Sequence, residues 1–444
     1  MKDKKRAAGA PAGRPLTRRQ FLGLSAAAAA SAALAPSILS SSRLLAADKE
    51  IRLGTIFPMT GNMAFGGNEG FTGTDIAREI INERGGINGK RIVFVKADAP
   101  DQTAATNEMN RLISKERLKL VIGSYSSAIA YTASAVAERN RVVFWENHGV
   151  ADDIVRRGFK YLFKTNINAT GTGGGASTFA AKYLAPKLGI PVDQLKVGIV
   201  WEDGTYGSSV GRGITALAKQ NGLKIVANES YSTKSADLSP VVLKLRSAHP
   251  DVLLAAGIGS DAILFWKQAR DLDLNVKAVV AASGGWGVLN FAQNLGSSAE
   301  GVFSSDFPTD VNPRALTPES AELQKEFVKR FVAIRGSRPT GKAYLAFAGT
   351  ILLFQHVLPK ADSLDQDQVR AAALALDLPE GSMVNGCGCK FEPPDSPEAG
   401  FNSRSFSVVL QWQKGEVEVV WPDKYANFEP ILVPLPAWSA RPAV

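Results

Sequence analysis

Residues 118–149 read LKLVIGSYSSAIAYTASAVAERNRVVFWENHG. An apolar run, LKLVIG, gives way to a stretch with apolar residues near helical spacing. A second apolar run, RVVFW, then stops at Glu146, Asn147 and His148. Strand, helix and strand in that order make a βαβ unit, and uninterrupted apolar strands are what a parallel sheet covered on both faces requires. The polar cluster that begins at Glu146 therefore stands at a strand's carboxyl end, where open α/β sheets bind ligands.

The same alternation runs through most of the chain. Strand-like runs begin at 51 (IRLGTIF), 91 (RIVFVKA), 196 (KVGIVW), 223 (LKIVANESY), 251 (DVLLAAG) and 276 (VKAVVAA), with helical patterns such as TGTDIAREIINERG and DAILFWKQARDL between them. A polar, glycine-rich passage, YLFKTNINATGTGGGAST (161–178), separates four such strands from the next four. Two doubly wound α/β lobes follow. The tail differs: helical patterns at 319–336, 342–357 and 367–376 precede the alternating, Gly-punctuated runs GCGCKFEPP, SFSVVLQWQKG and EVEVVWP, which read as a hairpin or antiparallel ribbon. No further βαβ unit is available for a third domain, so the long helices are expected to return and complete the first lobe. The expected division is 48–165 with 308–405 for lobe 1, and 166–307 with 406–444 for lobe 2.

The N-terminus reads as an export signal. A basic stretch, the pair Arg18 and Arg19 in TRRQFLG, a short Ala-rich apolar run and then small residues are the order of a twin-arginine (Tat) signal, expected over 1–47. The apolar run is too short for the roughly 20 residues that a bilayer-spanning helix needs. Of the formal charge of +9, residues 1–47 carry eight basic groups against Asp3 alone, a net of +7, which leaves +2 for the remainder. The basic balance thus belongs mostly to the signal and gives no reason to expect nucleic acid as a partner. Two cysteines, Cys387 and Cys389, are separated by one residue. That spacing makes a strained ring and favours thiols over a bridge, and two thiols without a neighbouring His are at most half a zinc site.

Longer stretches carry a family resemblance. PMTG (58–61), FTG (71–73) and INERGGINGK (81–90), followed by the 118–149 unit and VGIVWEDGTYGSSVGRG (197–213), resemble the type I periplasmic binding proteins of ABC transporters, in the branched-chain amino acid (Leu/Ile/Val) and amide-binding family. The resemblance runs from about Ile51 to Trp412. It implies two Rossmann-like lobes joined by a three-crossover hinge and closing on a small ligand. It also implies periplasmic localisation, an ABC permease as partner, no cofactor, no catalysis and a monomer; the Tat machinery is the export partner that the N-terminal motif implies.

Candidate site residues follow from both readings. Tyr125, Ser126 and Ser127 stand between a strand and a helix, where free backbone N–H groups and the helix dipole favour an anion; as serines there, Ser126 and Ser127 equally suit a helix cap. The resemblance places Ser127 on the residue that holds the ligand carboxylate, Asn147 and Gly149 where backbone groups meet the ligand, and Tyr206 on the aromatic that closes over it. Departures also show. Ser283 replaces the second-lobe acid that holds a ligand ammonium, Ile258 replaces a tyrosine, and Pro100 and Ser126 replace a pair of cysteines that some relatives bridge. Either Glu146 or Asp203 then meets the ammonium, or the ligand lacks one, because a buried unpaired ammonium is costly. Trp145, Trp286, Tyr125 and Tyr206 suit an aromatic-lined cleft or, one by one, core packing.

Competing motifs are weaker. GSSVG (207–211) matches a nucleophile elbow at Ser209, but EDGTY separates it from the preceding strand. GTGGG (171–175) lacks the Lys and Ser/Thr of a phosphate loop and reads as a flexible entry into a helix. Asp98, Asp101 and Glu108 are too sparse for a metal cage. A sensor that presents its closed form to a receptor shares every feature of a transport protein.

Overall fold

In the structure, a computed structural model, residues 49–361 and 363–441 are described. The export signal expected over 1–47 lies outside them. Two sheets organise the chain. The first has the order β2-β1-β3-β4-β5, from strands β1 (Glu50–Phe57), β2 (Arg91–Asp98), β3 (Leu120–Gly123), β4 (Val143–Glu146) and β5 (Leu162–Lys164). Within it β1, β3, β4 and β5 pair in parallel.

The second sheet has the order β12-β11-β10-β9-β8-β6-β7. Its parallel part comprises β6 (Lys196–Glu202), β7 (Lys224–Tyr231), β8 (Val252–Ala256), β9 (Ala278–Ala281) and β10 (Phe303–Asp306). The hairpin β11 (Val408–Gln413) and β12 (Glu416–Trp421) extends it antiparallel. Every residue of β8 is buried, with Leu254 in the core of one face beside Ile199 and Val280, and Leu253 in the other beside Phe265 and Trp266. Successive side chains of a strand point to opposite faces, so a doubly covered strand must be apolar throughout.

Two elements differ from the sequence expectation. The passage 161–178, expected to be a polar separator with a flexible entry into a helix, contains β5 and the helix Ala169–Phe179, which already includes GTGGG and is capped by the Asn168 side chain, accepting from the Gly171 N–H at 2.8 Å. Its glycines lie inside the helix because it packs hard against the helix Thr205–Gln220. A β-carbon on Gly173 would stand 2.6 Å from the Val210 carbonyl oxygen, and one on Gly213 2.8 Å from that of Ala169. Close approach of two backbones thus overrides glycine's poor helix propensity. β10 was not anticipated either; its sequence FSSD carries three polar residues, all buried.

The tail helices Pro318–Arg335 and Gly341–Leu352 both pack on the helix Ala64–Glu83, between β1 and β2. The chain passes between the sheets three times: after β5, after β10 and before β11. The first and third passages are tied together, since Asn402 N–H donates to the Lys164 carbonyl and Lys164 N–H to that of Gly400, each at 2.9 Å. Lys164 is buried there, its ammonium donating to the carbonyls of Asn166 (2.9 Å) and Ile167 (2.7 Å). Cys387 and Cys389 are free, buried thiols.

Candidate ligand-binding cleft

The carboxyl ends of both sheets face one small cavity of about 20 Å³. From the first sheet it receives Tyr125 and Ser127 after β3, and His148 and Val150 after β4. The second sheet contributes Tyr206 after β6, Ile258 after β8, Ser283 and Gly284 after β9, and Phe307 after β10. Lys342, in the first turn of the helix Gly341–Leu352, completes it. A larger groove of about 430 Å³ lies between that helix, the helix Pro318–Arg335 and the loop at 378–384, and no strand-end residue lines it.

The two sides touch across the cleft. Tyr125 Oη donates to the Ile258 carbonyl at 3.3 Å, and the Asp152 N–H donates to Ser209 Oγ at 3.2 Å. The Ser260 N–H donates to Asn62 Oδ1 at 3.3 Å. Ser127 opens the helix Ser127–Arg139, yet neither it nor Ser126 caps that helix through its side chain. Ser127 Oγ instead accepts from the N–H groups of Val150 and Ala151, both at 3.1 Å. Both of its acceptor sites are filled, which leaves its O–H as a donor.

Of the ten residues singled out from sequence, Tyr125, Ser127, Tyr206 and Ser283 line the cavity. The others do not. Glu146 is buried beneath the loop, its carboxylate accepting from the N–H groups of Ser124 (3.0 Å), His148 (2.6 Å) and Gly149 (2.6 Å). Glu146, one of the two acids that could meet a ligand ammonium, here braces the turn after β4. The N–H groups of Asn147 and Gly149 are likewise taken, by the Gly123 carbonyl and by Glu146, while the Asn147 side chain reaches Thr165 and Thr350. Ser126 is buried behind the cavity at the helix cap. Trp145 packs on Phe163 and Phe391 and donates to the Gly349 carbonyl at 2.8 Å; Trp286 packs among Phe265, Trp266 and Phe291. Both indoles belong to cores. Asp203, the other acid considered for an ammonium, is exposed.

Sequence reasoning missed the charged centre of the site. Lys342 Nζ lies 3.0 and 3.1 Å from the two carboxylate oxygens of Asp306 and 2.9 Å from Ser283 Oγ, with both charged side chains out of water. Asp306 ends β10, the strand not anticipated, and Lys342 sits in a helix from elsewhere in the chain. His148 also lines the cavity; its Nε2 lies 2.8 Å from the Lys342 carbonyl, so Nε2 carries the proton. Burial pushes its pKa down to about 4, and the ring is neutral at pH 7. Burial also raises Glu69, which accepts from Thr340 Oγ1 at 2.7 Å, to about 7.

Ser209, the serine of GSSVG, lies inside the helix Thr205–Gln220 and not on a sharp strand-to-helix turn. Its hydroxyl accepts a cross-cleft bond, and the geometry of a nucleophile elbow is missing there.

A family model described as periplasmic binding protein matches residues 50–391. The chain belongs to the periplasmic binding protein family. A Leu/Ile/Val-binding protein homolog 8 from Brucella suis is 33% identical over 390 residues, covering 87% of this chain and 94% of that protein. A Leu/Ile/Val-binding protein homolog 7 from Brucella abortus is 33% identical over 385 residues, 86% of this chain and 94% of its own length. Among solved structures, a leucine-binding protein from Thermotoga maritima superposes with a TM-score of 0.71 at 20% identity, over 84% of this chain and 98% of its own. A branched-chain amino acid transporter substrate-binding protein from Streptococcus pneumoniae, in complex with isoleucine, gives 0.69 at 22% identity, over 84% of this chain and all of its own. The two-sheet, three-crossover fold is thus that of the periplasmic binding protein family, whose members are binding proteins, and the cavity at the strand ends lies where such a fold places a ligand.

Proposed function

We propose that this periplasmic binding protein is the extracytoplasmic solute-binding component of an ABC importer. It closes its two lobes on a small carboxylate-bearing ligand and hands it to a membrane permease. The observation that carries this reading is the convergence of both sheets' carboxyl ends on one cavity, with the Ser127 hydroxyl free to donate at a helix N-terminus, a built place for a carboxylate. Tyr125, Ser127, Tyr206 and Ser283 are its ligand contacts. The lobes divide at 48–165 with 308–405 and 166–307 with 406–444, and the protein acts as an exported monomer delivered by the Tat route through residues 1–47. Relatives named for Leu/Ile/Val binding, and a structural neighbour holding isoleucine, support transport of small carboxylates. Ligand binding works by shifting the open–closed equilibrium toward the closed form.

The test is mass spectrometry of small molecules released on denaturing protein purified from the periplasm, beside a thermal-shift panel of amino acids, amides and carboxylic acids. A bound carboxylate that raises the melting temperature in wild type, with the shift reduced in Ser127→Ala, is the expected result. No ligand and no shift across the panel would sink the reading.

A further inference from the structure

Among the described residues that line the cleft cavity, Lys342 carries the sole charge. Three helices of 12 residues or more begin at this cavity: Ser127 opens one, Tyr206 is the second residue of another and Lys342 the second residue of a third. The Lys342–Asp306 pair carries no net charge, but only its ammonium end lines the cavity, and with the positive ends of the three helix dipoles it favours an anion there.

The carboxylates nearby are all engaged elsewhere. Asp306 is fully buried behind Lys342, and its oxygens accept from Lys342 Nζ, from Ser283 Oγ at 2.8 Å, from Ser304 Oγ at 3.3 Å and from the Phe307 N–H at 2.7 Å. Asp261 accepts from Tyr231 Oη at 2.8 Å and the Gly259 N–H at 2.6 Å. Glu202 accepts from the N–H groups of Gly204 and Gly207, Glu146 from the β4 turn, and Glu69 from Thr340. None of the five lines the cavity. Tyr125, Tyr206, Ile258, Phe307 and Val150 give the cavity apolar or aromatic walls, and the uncharged Ser127, Ser283, Gly284 and neutral His148 complete the lining.

We propose that the site selects an apolar monocarboxylate that lacks an α-ammonium, with Lys342, held in place by Asp306 and Ser283, as the specificity-determining cation. Lys342 occupies internally the counter-charge position that a ligand ammonium would need. An amino acid's ammonium would be buried without a free carboxylate and beside a like charge, which is unfavourable on both counts. A deaminated acid of the same shape keeps the carboxylate contacts and escapes that cost. The inference rests on the carboxylate-binding reading above.

Isothermal titration of matched probes tests it: leucine against isocaproate, phenylalanine against hydrocinnamate, with isocaproamide as the uncharged control. The acids are expected to bind at least about tenfold more tightly than the amino acids. The double variant Lys342→Gln/Asp306→Asn, which preserves hydrogen bonding and removes both charges, is expected to cut that preference to about threefold or less. Amino acids binding as tightly as their deaminated partners would overturn the inference while leaving carboxylate recognition intact. If isocaproamide binds as well as isocaproate and Ser127→Ala changes neither, the carboxylate reading itself fails and this inference with it.

Discussion

Tyr125 and Ile258 meet across the cleft, the phenol of one donating to the backbone carbonyl of the other at 3.3 Å. Each follows a strand of a different sheet, Tyr125 after β3 and Ile258 after β8. The bond exists only while the two strand ends face each other, so it is part of what stabilises the closed arrangement. Tyr125→Phe removes it and leaves the ring in place. A neutral hydrogen bond contributes about 1 kcal/mol, so ligand affinity is expected to fall by about fivefold and the unliganded protein to shift toward a larger radius of gyration. Calorimetry and small-angle scattering read these; unchanged values in both would show that the bond does not bear on closure.

Gly173 and Gly213 let two helices approach at backbone distance. Gly173→Ala sets a β-carbon 2.6 Å from the Val210 carbonyl oxygen, a clash that the rigid backbone cannot relieve cheaply. A loss of about 1–3 kcal/mol is expected, measured by urea unfolding. Gly222→Ala provides the contrast: nothing lies within 4 Å there and the cost is confined to its φ of +75°. Equal midpoints for Gly173→Ala and wild type would refute the close-packing account.

Glu69 and His148 give stability opposite dependences on pH. The carboxyl of Glu69 is raised by burial from 4.5 to about 7, so its contribution is full below 4.5 and lost as pH rises toward 7. His148 is lowered by burial from 6.5 to about 4, so its contribution is full above 6.5 and lost as pH falls toward 4. Between 4.5 and 6.5 the two slopes oppose each other, each at most about 1.4 kcal/mol per pH unit. Relative to wild type, Glu69→Gln should therefore gain stability as pH rises through this window, and His148→Asn should gain it as pH falls. Denaturant titrations at pH 4.5 and 6.5 check the signs, and parallel curves for all three proteins would contradict the assignment.

Burial pushes the Cys387 thiol up to about 12 and raises Cys389 as well, the largest cause in each case being the loss of water around the thiolate. Reactivity requires the thiolate. The folded protein is expected to resist an aromatic disulfide reagent at pH 8, and both thiols to react once it is unfolded. Rapid labelling of the native protein would show that the 378–404 segment opens readily.

The alternating strands and helices were legible because each element's period is local: β1 to β4 and β6 to β9 fall on the apolar runs, and the tail helices and the hairpin on their own patterns. Tyr125 and Ser127 were legible from their place between a strand and a helix, whereas Tyr206 and Ser283 came from the family resemblance; all four line the cavity. The short β5 and β10 were not legible, because a buried strand of three or four residues, polar in β10, has no periodicity to detect. The packing reason for the glycines of the helix Ala169–Phe179 was hidden too, since only its neighbour makes glycine the residue that fits. Trp145 and Glu146 look like cleft residues in sequence, but a strand end can turn a side chain inward to the core or to its own loop. The Lys342–Asp306 pair joins residues 36 positions apart in different elements. The sequence by itself determined the fold class, through local hydrophobic period; tertiary structure alone decided which charge reaches the cavity, because a buried ion pair is created by the meeting of distant segments and leaves no trace in either one.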